Sequence, residues 1–524
     1  FANPNYYLVL TQRKYPTKQT SVTTNGYSEI KLFDGLKYKL SANVDLGNTA
    51  ASSFIPSTAQ GAMFSAPPKP ATGNYSTANY MTWLLENTLT YTKTFKEKHN
   101  IDALLGYTSQ DATAENSAIA ASSFPDDEVD WFNAATVKTG SGDKSEWSML
   151  SYIGRLNYNY DGKYIVSLAF RRDGCSRFGS NAKYGNFPSV SLGWIASDEN
   201  FMKGYDKLSY LKLRASYGKV GNNNIGNYSY IASVVTSNYV TNSTISAGRA
   251  LNAIGNNDLT WETTVQTDFG FDLGLFKDRI FLVYDYYHKK TDGLLYAIDI
   301  PNQSGFSSIQ SNIGEFKFWG HEFGLETKNM VGKFRWNTNF NITFNRNEAV
   351  KLGTNNTPIG GNSNQGDYNR TQVGHPLGEF MGYVYDVVYM TQQELDSQPK
   401  HTSSMVGTVR MKDISGPDGV PDGKIDMKDR TIIGDPNPDF LFGITNEFNY
   451  KNFDASVIIA GAVGGDIIDA TYEWTENIDG VFNVRKEMAE RWRSIENPGK
   501  GNIPRTRSGT TELFRYNNTR WVSD

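Results

Sequence analysis

The densest set of metal-capable side chains lies in Asp418-Gly-Val-Pro-Asp-Gly-Lys-Ile-Asp-Met-Lys-Asp429. Asp418, Asp422, Lys424 (through its carbonyl), Asp426 and Asp429 fall at positions 1, 5, 7, 9 and 12 of a twelve-residue calcium loop. Gly423 stands at position 6, where such a loop turns sharply. Calcium takes several hard oxygens, which four carboxylates would help to supply. Val420, at position 3, brings no side-chain oxygen, and Asp429 is shorter than the glutamate usual at position 12. The competing reading is a Gly-Asp-rich turn whose carboxylates bond their own backbone. The expectation is a candidate calcium site that stiffens a loop, in a chain that requires no cofactor.

Other chemistry is sparse. His321-Glu322 resembles the start of a zinc-protease helix, but position 325 is Leu and the surroundings alternate like a strand. The five histidines are scattered without metal spacing, and neither a nucleophile elbow nor a phosphate-binding glycine loop is present. Asp126-Asp127-Glu128 reads as a solvated loop face, and lone Cys175 has no evident task. The expectation is no catalytic residue and no enzyme. Tyr75, Trp131, Phe132, Tyr228, Tyr239 and Tyr368 lie in long connections, where aromatic rings either stack on sugars and peptides or pack the loops and membrane girdles. Packing is the more economical reading for any one of them, so substrate-binding residues stay unassigned.

Length alone, at 524 residues, suggests three or four ordinary domains. A net charge of −4 gives no basis for a nucleic-acid partner, and one cysteine excludes an internal disulfide framework. Aromatic residues make up 13% and charged residues 20%, which is not the profile of a disordered chain. Mean hydropathy is −0.50, and no apolar stretch is long enough for a transmembrane helix; the most apolar run, Ala455 to Gly465, contains glycines. A barrel wall escapes such a test, because it needs apolar residues only at alternate positions.

Alternation is the dominant pattern. From Phe334 to Asn345 one face reads Phe334, Trp336, Thr338, Phe340, Ile342, Phe344 and the other reads Arg335, Asn337, Asn339, Asn341, Thr343, Asn345. Thr82–Phe95, Leu150–Tyr160, Tyr164–Arg172, Val265–Leu275 and Ile280–Tyr286 behave similarly. Several runs reach about 10 to 14 residues, enough for a tilted strand to cross a bilayer. Tight turns at Asp34-Gly35, Lys96 to Lys98, Asp161-Gly162, Lys277-Asp278, Met330 to Gly332 and Lys451-Asn452 alternate with long connections at 48–80, 112–146, 220–260, 292–318, 348–379, 390–438 and 463–508. Helical pattern is scarce, the best stretch being Arg485 to Arg493. The fold class expected over 1–524 is all-β: part of a large antiparallel transmembrane β-barrel of about sixteen strands, with short periplasmic turns and long extracellular loops. Segment 390–438 is expected to be a long extracellular loop carrying the calcium-like spacing. A barrel so wide holds water or a plug, and its Asn and Thr face suits hydrated solutes.

A series of short segments runs along the chain: Ser151-Tyr-Ile-Gly-Arg-Leu-Asn-Tyr-Asn-Tyr160, Arg171-Arg-Asp-Gly174, Phe187-Pro-Ser-Val-Ser-Leu-Gly-Trp194 and Leu211-Lys-Leu-Arg-Ala-Ser-Tyr-Gly218. Gly221 to Tyr228, Leu259-Thr-Trp-Glu-Thr-Thr264, Asp272 to Phe276, Asp285-Tyr-Tyr287, Lys289-Lys-Thr291, Val373-Gly374, Gly382 to Asp386 and Gly434-Asp-Pro-Asn-Pro438 continue it. Together and in this order they resemble the SusC/RagA-type family of TonB-dependent outer-membrane transporters. The resemblance implies a twenty-two-stranded barrel occluded by an N-terminal plug, in the outer membrane of a Gram-negative bacterium. It implies active import of a glycan or peptide nutrient, substrate capture by a SusD-like surface lipoprotein, and energy from the TonB complex. Outer-membrane lipid around the wall and a dimer of transporter–lipoprotein pairs belong to the same picture. The sequence opens at Phe1 without an initiator Met and shows neither plug nor TonB box, so a longer native chain at both ends is expected. Two other readings stay open: a surface adhesin or structural β-protein, and a passive porin.

Overall fold

A computed structural model of the chain describes residues 6–59, 69–241, 243–360, 368–476, 484–505 and 518–523. Parts of the connections 48–80, 220–260, 348–379 and 463–508 lie outside these residues, as does Asp524. Fourteen wall strands follow one another in chain order. The first eight are β1 (Thr17–Phe33), β2 (Leu36–Ile55), β3 (Thr72–Phe95), β4 (His99–Ser122), β5 (Val137–Tyr160), β6 (Tyr164–Cys175), β7 (Tyr184–Ile195) and β8 (Leu208–Asn222). The remainder are β9 (Glu262–Leu275), β10 (Ile280–Asp292), β11 (Glu315–Val331), β12 (Phe334–Lys351), β13 (Phe440–Tyr450) and β14 (Phe453–Val463). Each pairs with its sequence neighbour in one sheet. The chain divides into two compact units, one of 1–193, 217–263 and 295–312, the other of 194–216, 264–294 and 313–524.

The tight turns form where the backbone can reverse without strain. Gly35 takes φ +86°, and a Cβ there would stand 2.6 Å from the Thr92 carbonyl oxygen. Lys96 and Glu97 both have positive φ, as do Asp161 and Gly162, the geometry that matches hairpin twist. Between the turns, the period of two sorts side chains to opposite faces of the sheet.

In the first unit the outward face is an apolar band. Leu105, Leu168 and Phe170 stand on it, with Leu105 65% exposed. That exposure would be costly in water and is favourable against lipid. Aromatic rings bound the band. His99 meets Tyr160 at 4.9 Å near the turns, while Tyr107 and Tyr152 pair at 5.6 Å further along. In the second unit Trp336 and Phe448 stack at 5.9 Å at the turn end, and Phe344 meets Phe440 at 5.7 Å farther up.

The wall differs from the sequence expectation at its far end. β2 continues to Ile55, and β3, β4 and β5 each run 24 residues. These strands consume much of the stretches 48–80 and 112–146 expected as loops. A crossing needs only about 9 to 11 residues, so about half of β2 and more than half of β3, β4 and β5 project past the band. Alternation fades there because both faces carry Thr, Ser, Ala and Asn. The ladder continues nonetheless, with Thr77 and Ser117 hydroxyls 2.7 Å apart. Fourteen wall strands, rather than sixteen, are found among the described residues; the pair Leu295–Asp299 and Ser308–Asn312 forms a separate hairpin inside the 292–318 connection.

The segment 390–438 is likewise not an open loop. It belongs to a small folded module that begins after β12. Glu379–Gly382 pairs with Thr431–Gly434, and Tyr385–Val388 pairs with Val409–Met411. A short helix, Gln392–Ser397, is capped by the Thr391 side chain. Tyr383, Val409, Met411 and Ile425 form the module's buried core. The chain after β14 laces onto it: the Arg505 N–H donates to Gly407 O at 2.7 Å and the Thr519 N–H to Tyr383 O at 3.1 Å. Trp492 lies against Gly407, which takes φ +90°. The expected helix near Arg485 to Arg493 is one 3-10 turn, Lys486–Glu490.

Candidate functional site

The polar face of the wall carries fixed networks of charge and amide. In the first unit Arg171 donates from Nε to both oxygens of Asp173 at 2.7 Å and from a terminal nitrogen to the Ser151 hydroxyl at 3.1 Å. The next residue points the opposite way, and the Arg172 guanidinium lies 4.9 Å from the Tyr184 ring centre. The run Arg171-Arg-Asp-Gly174 thus divides its charges between two faces. Asn25 donates to Asn43, which donates to Glu86 at 3.4 Å, extending the polar face across β1, β2 and β3.

In the second unit Arg214 bridges two carboxylates, 2.8 Å from Asp272 and 2.9 Å from Asp285. Ser216 donates to Asp268 at 2.7 Å. β12 presents Asn337, Asn339, Asn341 and Asn345 on the same parity, and Asn341 stands between Gly324 and Gly443 in register. Tyr287 donates its hydroxyl to Asn345 at 2.6 Å. Such a surface offers many donors and acceptors to hydrated solutes. The Arg214 bridge escaped sequence reading, because its three members lie on three strands and only register brings them together.

A polar node secures the exits from the wall in the second unit. Asn347 accepts the Leu377 N–H at 2.7 Å and donates to Asn437 at 3.0 Å. Asn437 donates to Asp435 at 2.6 Å, and Asp466 accepts the Asp435 N–H at 2.7 Å. The runs Val373-Gly374 and Gly434 to Pro438 are therefore anchoring turns. Beyond them, Glu476 and Arg520 form a buried ion pair at 2.8 Å, with Arg520 5.0 Å from the Tyr385 ring centre. Burial pushes the Glu476 carboxyl up, against the opposing pull of Arg520. Burial also raises Glu379, whose carboxylate stands 3.1 Å from His375 Nδ1.

The calcium-spaced carboxylates are engaged with backbone. Asp429 is fully buried and accepts the N–H groups of Ile414 at 2.9 Å, Ser415 at 3.2 Å and Asp426 at 2.8 Å. Asp426 accepts from the Lys428 N–H, and Asp422 from the Lys424 N–H. Asp413, which the spacing did not include, accepts from Asp422 and Gly423. Asp418 lies in an exposed turn. Among the described residues no three His, Cys, Asp or Glu side chains are grouped to hold a metal.

The remaining residues singled out by sequence fall into structural places. Asp126 caps the N–H groups of Glu128 and Val129, and Asp127 accepts from Ser57. His321 bonds the Tyr284 hydroxyl at 2.9 Å from the wall. Cys175 is buried with Phe178, Phe187, Ile225, Leu259 and Trp261 in a collar of the first unit, where Asn223 reaches its sulfur at 3.3 Å. Tyr75 belongs to β3 and leans on Phe132 at 5.8 Å, while Tyr228 accepts the Glu146 N–H. The Tyr368 carbonyl accepts the Met381 N–H. Trp131 and Tyr239 keep 60% and 58% of their surface exposed, and the Trp131 ring lies 5.3 Å from that of Phe132.

Residues 2–417 match the family model described as TonB dependent receptor-like, beta-barrel. The chain belongs to that family. It is 34% identical over 506 residues to the TonB-dependent receptor P3 of Formosa agariphila, covering 93% of this chain and 48% of that protein. It is 35% identical over 321 residues to the TonB-dependent receptor SusC of Bacteroides thetaiotaomicron, covering 59% of this chain and 30% of that protein. Among solved structures, the RagAB peptide transporter superposes with a TM-score of 0.82 at 23% identity, covering 99% of this chain and 55% of that one. The likeness establishes the fold, an all-β barrel wall with short turns on one side and long connections on the other. The chain spans about half the length of the curated relatives it matches, at 48%, 46% and 45% for three of them.

Proposed function

We propose that this chain forms wall and external loops of a TonB-dependent importer for an oligosaccharide or peptide nutrient in a Gram-negative outer membrane. A SusD-like surface lipoprotein would capture the substrate, and the TonB complex would supply the energy. The observation that carries the reading is the union of family membership with a polar wall face rich in hydrogen-bonding groups within each unit, Arg171–Asp173 in the first and Arg214–Asp272–Asp285 with the β12 asparagines in the second. The folded module after β12, laced by the chain after β14, supports a role in receiving a partner or substrate on the long-connection side. The relatives named SusC and RagAB support the pairing with a lipoprotein. Pairs of such assemblies would form the dimer.

Detergent extraction of the native protein, with identification of every chain that copurifies, tests the pairing. A surface lipoprotein in stoichiometric amount is the expected result. Extraction without detergent and without such a chain would leave an adhesin; a barrel alone would leave a porin.

A further inference from the structure

Residues 484–505, which lace the module after β14, carry two buried donors with nothing to receive them. The segment is held by its backbone: the Trp492 N–H donates to Ile503 O at 3.0 Å and the Arg505 N–H to Gly407 O at 2.7 Å. These bonds seat the Trp492 ring on Gly407 and bring the Arg505 guanidinium to 5.6 Å from the ring centre. Trp492 is only 6% exposed. Its Nε1–H and the Arg505 Nε–H are both buried, and among the described residues neither meets an acceptor.

The charge is unanswered as well. Arg505 Nη1 reaches only the Val406 carbonyl, at 3.4 Å. The carboxylates of this part of the module are engaged elsewhere. Glu490 pairs with Lys500 at 2.7 Å, Asp386 with Arg410 at 2.7 Å, and Glu394 accepts the Met390 N–H at 2.7 Å. A buried donor without an acceptor marks a place for a bound water or ion, and a guanidinium without a counter-charge favours the ion. One water could accept both N–H groups, but it would add two donors of its own and leave the charge uncompensated. An anion accepts both bonds and neutralises the guanidinium. Burial of the two nitrogens restricts it to an ion small enough to be enclosed.

We propose that Trp492 Nε1 and Arg505 Nε hold a small monovalent anion of the chloride class, which pins residues 484–505 to the module. The proposal goes beyond the import reading and does not depend on it.

The test uses the intact protein in detergent and follows cleavage within 484–505 by a broad-specificity protease, as sodium chloride replaces sodium gluconate at constant ionic strength. Cleavage should slow saturably, by about tenfold when chloride reaches ten times its dissociation constant, as expected for an ion that binds only the seated segment. Trp492→Phe keeps a ring for Gly407 but lacks the N–H, and it should lose the chloride response, as should Arg505→Met. Lys500→Gln removes an exposed cation of the same segment and should keep the response. Bromide in place of chloride should give an anomalous diffraction peak within hydrogen-bond reach of both nitrogens. Equal cleavage in chloride and gluconate, or no bromide peak at this place, would overturn the proposal and leave a water there. So would a chloride response that persists in both Trp492→Phe and Arg505→Met.

Discussion

At the scale of single residues, buried carboxylates organise the module that follows β12. Asp429 supplies one carboxylate to three backbone N–H groups from a fully buried position. Asp429→Ala leaves those donors unpaired and should destabilise the module by about 2–3 kcal/mol, as expected for lost bonds to a charged group. Limited proteolysis should show faster cleavage between Lys412 and Arg430. A chelator should leave the wild-type rate unchanged, whereas calcium-dependent protection would restore the metal reading of Asp418, Asp422, Lys424, Asp426 and Asp429. Glu476 gives a pH dependence. Burial raises its folded pKa, so the folded module holds the proton more tightly than the unfolded chain. Its contribution is therefore present at and below the ordinary glutamate range and is lost as pH rises through the raised value. Resistance to proteolysis should fall as pH rises above the ordinary glutamate range, and Glu476→Gln should flatten that fall. An equal slope in the variant would refute this role.

At the scale of elements, the strands separate what the sequence discloses from what it hides. In β12 the alternation from Phe334 to Asn345 announces strand, parity and face together, because lipid on one side and water on the other impose opposite demands. The projecting parts of β2 to β5 were hidden, since both of their faces meet water and residues such as Thr77 and Ser117 carry no apolar signal. The module was hidden for another reason: Tyr383, Val409, Met411 and Ile425 form a core from residues with no shared period. The candidate site was legible by composition, as an Asn-rich inward face, but the Arg214 bridge needed register. Single cysteines test the wall directly, because native Cys175 is 1% exposed and contributes little background. Cysteine at Ser117 should react with a membrane-impermeant thiol reagent on intact cells, and cysteine at Leu105 should not. Reaction at both positions would place the band in water. In the module, Gly407→Ala adds a methyl group at φ +90° against Trp492. A cost of about 1–3 kcal/mol is expected from strained backbone of this kind. Proteolysis should then release 484–505 from the hairpin; unaltered protection would show that Trp492 does not seat there.

At the scale of the whole molecule, the proposed import is a property that only the intact protein can display. The most direct measurement is accumulation of labelled oligosaccharides and labelled peptides by cells that carry or lack the intact protein, with and without an uncoupler. The account predicts uptake of one of the two classes that requires the protein and falls to background when the proton gradient is dissipated. Uptake that requires the protein but persists in the uncoupler would contradict it and identify a porin.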